Sequence, residues 1–100
     1  MAEGYENNAY PPVRKIFHEY YANSGTLDFA LDQPYEAGFL VYNSFTASGS
    51  NGFWMITSLA NSIRITPIVN NSAVTFTVVD NTHMKISYPG YSDIAICYLT

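Results

Sequence analysis

The chain has 100 residues, 48% of them hydrophobic and only 12% charged, with a net charge of −4. That is room for one domain with one core and excludes a second. With four Lys and Arg against eight Asp and Glu, the chain lacks the basic footprint that nucleic acid requires, so no nucleic-acid partner is expected.

The first twelve residues, MAEGYENNAYPP, are polar and end in Pro11-Pro12. Proline lacks a ladder donor and restricts its neighbour, so residues 1–12 read as an extended arm and residues 13–100 as the domain. There is neither a basic n-region nor an apolar h-region, and no run approaches the roughly 18 apolar residues of a membrane span. Neither an export signal nor a membrane segment is expected. The run VRKIFHEYYA (13–22) fits strand or helix; its Val, Ile, Phe and Tyr content favours strand.

Further along, the pattern has period two, which sends alternate side chains to core and solvent. In TLDFALD, Leu27, Phe29 and Leu31 point in while Asp28, Ala30 and Asp32 point out. In SIRIT, Ile63 and Ile65 oppose Arg64 and Thr66. Val74, Phe76 and Val78 alternate with Thr75, Thr77 and Val79, and Asp80-Asn81 turns the chain into a strand with Met84, Ile86 and Tyr88 inward. Pro89-Gly90 marks a turn before a terminal strand from Asp93 to Leu99, and Ser48 to Gly52 another between the apolar runs Ala37 to Phe45 and Phe53 to Ala60. About eight short strands at this spacing predict an all-β antiparallel sandwich, jelly-roll-like or related.

Three strands break the alternation by being apolar on both faces. Phe39, Val41 and Phe45 lie against Leu40 and Tyr42; Phe53, Met55 and Leu59 against Trp54, Ile56 and Ala60; Ile94, Ile96 and Tyr98 against Ala95, Cys97 and Leu99. A two-layer sandwich leaves one side of each strand polar, so a second burial surface is implied. A homo-oligomer or partner surface of Phe39, Leu40, Tyr42, Trp54, Ile56 and Leu99 is expected, consistent with the low charge. Cover by the N-terminal segment is the plain alternative.

Chemistry-bearing groups are sparse. His18 and His83 fall on outward faces without His, Cys or Asp at metal-ligand spacing, and GxSxG, CxxC, HExxH and phosphate-loop patterns are absent. No metal, cofactor or catalytic residue is expected, and the chain reads as a non-enzyme. Cys97, the single cysteine, reads as a small buried hydrophobe. Tyr35, Tyr42, Trp54 and Tyr91 are candidates for a carbohydrate platform, because flat aromatic rings stack on the apolar faces of sugars. Asp28, Asp32, Glu19 and Glu36 offer an acidic surface of the kind an inhibitor uses, with Glu19 expected on a strand beside Asp28.

The segments GFLVYNSFTASGSNGFWMITSLANSIRITPI and SAVTFTVVDNTHMKISYPGYSDIAICYL resemble, over about residues 26 to 99, small β-sandwich domains of the fibres and appendages of tailed phages and prophages. The resemblance implies a homotrimeric virion part made in the host cytoplasm, whose loops contact a host-surface glycan or protein, with no catalytic residues. A monomeric carbohydrate-binding module and a small acidic inhibitor are the rival readings.

Overall fold

Residues that alternate or that are rich in Val, Ile, Phe and Tyr take extended backbone wherever a neighbouring ladder can pair them. A computed structural model of the chain describes residues 13–31, 34–46 and 50–99, without the side chains of residues 13–16 and 98–99. The N-terminal arm expected over residues 1–12 lies outside them. Eight strands follow in order: β1 (Val13–Tyr21), β2 (Gly25–Ala30), β3 (Ala37–Ser44), β4 (Asn51–Ser58), β5 (Ile63–Asn71), β6 (Thr75–Val78), β7 (His83–Tyr88) and β8 (Ser92–Leu99). The ambiguous run at Val13 is strand, and the reason is tertiary: β1 is zipped to β8 from Val13 opposite Leu99 to Tyr21 opposite Ser92.

The strands form two antiparallel sheets, β1-β8-β3-β4-β5 and β2-β7-β6. The first strand pairs with the last and the second with the seventh, a nested winding of jelly-roll kind. The β4–β5 hairpin, however, stays beside β3 and β6 stays beside β7. The result is an unequal sandwich, five strands against three.

The core lies between the sheets. Leu40 and Tyr42 of β3, Trp54 and Ile56 of β4, Ile63 of β5 and Ile94 and Ile96 of β8 face Phe29 of β2 and Met84 and Ile86 of β7, all buried. Aromatic pairs bridge the layers: Phe17 with Phe29 edge-on at 6.3 Å, Tyr21 stacked on Tyr88 at 4.3 Å, and Trp54 edge-on to Phe76 at 5.1 Å. Each such pair adds roughly 0.5–1.5 kcal/mol to the area it buries. The inward parity expected of Leu27, Phe29, Leu31, Ile63, Phe76, Met84, Ile86 and Tyr88 holds, each being buried or half-buried. Val78 shares the parity of Phe76 but stays 38% exposed, because it ends the short edge strand where nothing covers it.

Buried polar groups tie the ends together. Ser58, inward like Trp54 and Ile56, accepts the Tyr35 amide at 2.9 Å through Oγ and donates to the Asn81 carbonyl at 2.6 Å. Its own amide donates to the Glu36 carbonyl at 2.9 Å. One side chain thus joins the β2–β3 loop, β4 and the β6–β7 turn. At the opposite end of β3, Ser92 donates to the Pro89 carbonyl at 2.5 Å and lies 3.3 Å from the Tyr42 hydroxyl.

Candidate functional site

The three-stranded sheet covers one face of the large sheet; the strand registers show what the other face carries. Two adjacent cross-strand rows are apolar across β8, β3 and β4. One runs Ala95, Val41, Phe53, Val69, with His18 at its β1 end; the other runs Cys97, Phe39, Met55, Thr66. Phe39 and Phe53 stack diagonally at 5.3 Å. Val41 is 44% exposed, Met55 37% and Val69 41%. The next row is polar throughout: Asp93, Asn43, Asn51 and Asn71, with Tyr20 beside Asp93. Where the two kinds of row meet, Val41, Asn43, Asn51, Phe53, Val69 and Asp93 line a shallow groove of about 430 Å³.

The second apolar side of the two-sided strands is this exposed outer face, and its residues differ from those expected for a partner surface. Of that set, Phe39 lies on it. Leu40, Tyr42, Trp54 and Ile56 are at most 2% exposed and belong to the core, so they form no partner surface. The Leu99 side chain is outside the described residues. Both parities of β3 and β4 are apolar, and the docking position of β2-β7-β6 decides which turns inward. Val41, Phe53 and Met55 thereby turn outward, and Ala95 of β8 and Val69 of β5 continue the row of Val41 and Phe53.

The aromatic platform also comes apart. Tyr42 and Trp54 are interior, while Tyr35 and Tyr91 are 72% and 51% exposed at opposite ends of the sandwich. Each has positive φ, 66° and 59°, the left-handed region that bulky residues seldom enter. The acidic surface is scattered as well. Glu19 lies on β1 in the large sheet and Asp28 on β2 in the small one, so they are not neighbours. Glu36 is buried at 2% exposure and presents no charge outward. Asp32 falls outside the described residues.

Both histidines are exposed, and each meets an aspartate. His18 Nε2 lies 2.8 and 3.0 Å from the two carboxylate oxygens of Asp93, 75 residues away in sequence. His83 Nδ1 lies 2.8 Å from Asp80, whose Oδ1 also accepts the amides of Thr82 and His83, each at 2.9 Å. These bonds, the Thr82 amide first and the His83 side chain next, hold the Asp80 carboxyl down to about 2. The arrangement staples the β6–β7 turn. Beside it, on the outer face of the small sheet, Asp28, Ala30, Val79, His83 and Lys85 help line a second groove of about 390 Å³. Among the described residues no three His, Cys, Asp or Glu side chains converge as metal ligands, and no helix is long and apolar enough to cross a membrane.

Fold and face together define an all-β, two-sheet sandwich with an apolar exterior on its larger sheet. Comparison with protein-family models, with curated proteins and with solved structures finds no match.

Proposed function

We propose that the protein is a non-enzymatic assembly module that self-associates through the outer face of β1-β8-β3-β4-β5. The observation that carries this reading is the pair of apolar rows built on Val41, Phe53, Phe39 and Met55, which no other described element covers. Five strands about 4.8 Å apart and eight residues long present a face of roughly 600 Å². Two such faces together reach about 1,200 Å², the lower edge of stable protein interfaces. The apolar rows are about half of that, so their burial supplies roughly 15 kcal/mol against the 4–15 kcal/mol that association costs.

The middle of that balance, a net gain of about 4–8 kcal/mol, corresponds to a Kd between about 1 mM and 1 μM. A twofold pairing covers both copies of the face at once, and a threefold arrangement, as in the appendage domains the sequence resembles, covers each face with its neighbours. The resemblance also gives the proposal its setting, a virion part made in the host cytoplasm. Light scattering behind a sizing column, over a concentration series reaching about 1 mM, tests the reading. A mass rising to two or three protomers is the expected result. A monomer throughout overturns it.

A further inference from the structure

The polar row on the outer face ends at a group of exposed aromatic rings. Tyr20 stands beside Asp93 in register, and its ring meets that of Phe45 at 5.4 Å with a 37° tilt. Phe45 belongs to the β3–β4 loop, and its amide donates to the Tyr91 carbonyl at 3.1 Å. Tyr91, in the β7–β8 turn, donates its own amide to the Ala22 carbonyl at 3.1 Å. Three aromatic residues from three separate segments, 46%, 61% and 51% exposed, thus stand at one end of the sandwich, the rings of Tyr20 and Phe45 in contact and Tyr91 joined to Phe45 through the main chain. Main-chain bonds hold the segments, and Tyr91 is kept at positive φ.

We infer that this corner is a binding site for a neutral saccharide. Aromatic rings present flat faces on which the C–H surface of a pyranose packs, and they lose little side-chain freedom in doing so. Hydroxyl groups need partners that accept and donate, and both stand next to the rings. The Asp93 carboxylate is oriented by His18, yet each oxygen retains capacity for a further hydrogen bond; Asn43, its register neighbour on β3, adds an exposed amide with two donors and an acceptor. The corner carries one carboxylate, Asp93, hydrogen-bonded to His18, which disfavours an anionic ligand. A proline-rich peptide, the other common guest of aromatic grooves, brings carbonyl acceptors and offers the Asp93 carboxylate no further donor.

The inference does not rest on self-association, because Phe45 and Tyr91 lie outside the apolar rows. Uniformly ¹⁵N-labelled full-length protein, titrated to about 50 mM with the methyl glycosides of glucose, galactose and mannose and with N-acetylglucosamine, and separately with a proline decapeptide, tests it. Amide shifts at Tyr20, Phe45, Tyr91 and Asp93 with at least one sugar, and none there with the decapeptide, are expected. Phe45→Ala, at an exposed loop position, weakens that sugar about tenfold or more, equivalent to about 1.4 kcal/mol. It leaves the concentration-dependent mass unchanged. Silence with all four sugars, shifts centred elsewhere, equal binding by Phe45→Ala, or decapeptide binding on the same rings overturns the proposal.

Discussion

Trp54 lies flat over a glycine, and that contact can be tested with one methyl group. A Cβ built on Gly52 stands 2.1 Å from Trp54 Cη2, 2.5 Å from Cζ3 and 2.7 Å from Cζ2. Carbon atoms rest at about 3.5–4.0 Å, so in Gly52→Ala the far edge of the indole has to retreat by roughly 1.5 Å. It cannot do so without cost, since Phe76 packs edge-on at 5.1 Å and Trp54 is 2% exposed. Overpacking of this kind costs about 1–3 kcal/mol, and the stiffer alanine backbone returns about 0.5–1 kcal/mol through the unfolded state.

A net loss of about 1–2 kcal/mol is expected, which for a domain of this size lowers Tm by roughly 5–15 °C. Circular dichroism follows the transition in thermal and urea unfolding, because Trp54 is the only tryptophan and its fluorescence is lost in variants that replace it. In a double-mutant cycle with Trp54→Leu, the penalty of Gly52→Ala shrinks toward zero, because the smaller side chain leaves the methyl room. A Gly52→Ala protein as stable as the parent, or a cycle without coupling, refutes the packing described for Trp54.

Other outcomes follow from the same geometry. Cys97 is half-buried in the apolar rows, so its reaction with a thiol reagent slows as protein concentration rises through the association range; a rate independent of concentration counts against the interface. Asp80 has a carboxyl lowered from 3.8 to about 2 in the folded state, so its contribution is fully present above 3.8 and is lost as pH falls through about 2. Acid titration of unfolding should therefore show a shallower decline between those values for Asp80→Ala than for the parent. Tyr21, stacked on Tyr88, has its hydroxyl pKa raised above 10.0 by burial, with Tyr88 and Glu19 adding to the shift. A raised value means stability that is complete below pH 10.0 and lost as pH climbs beyond it, so Tyr21→Phe loses less stability than the parent in alkali. Ser58→Ala leaves the Tyr35 amide and the Asn81 carbonyl without their partner; chemical denaturation should register a loss of about 1–3 kcal/mol.

Strand existence was legible because period-two alternation is a local property: TLDFALD, SIRIT and the hairpin around Asp80-Asn81 declare their inner residues directly. The two-sided strands were legible only as a class. Leu40 and Val41, or Trp54 and Met55, are equally fit for either side, and the choice belongs to the docking of a sheet made from β2, β6 and β7, far off in sequence. Ser58 could have been found, since it continues the parity of Trp54 and Ile56, but a serine carries no inward signal of its own. The pairing of His18 with Asp93 spans 75 residues and exists because β1 and β8 are adjacent. The positive φ of Tyr35 and Tyr91 had no glycine or asparagine to announce it. The aromatic corner of Tyr20, Phe45 and Tyr91 is assembled from three such distant segments, so composition counted its rings without showing that Tyr20 meets Phe45 or that the main chain at Tyr91 joins them.

The proposed division of β3 and β4 into a core side and an assembling side is tested by a charge placed on the outer rows. Val41→Lys puts an ammonium in the middle of those rows at a position 44% exposed, where a folded monomer tolerates it and a buried interface does not. Light scattering on this variant and on Thr77→Lys, a control on the exposed face of the small sheet, is expected to give a monomer at every concentration for the first and parent-like association for the second, with both folded. If Val41→Lys associates as the parent does, the outer face is not the assembling surface.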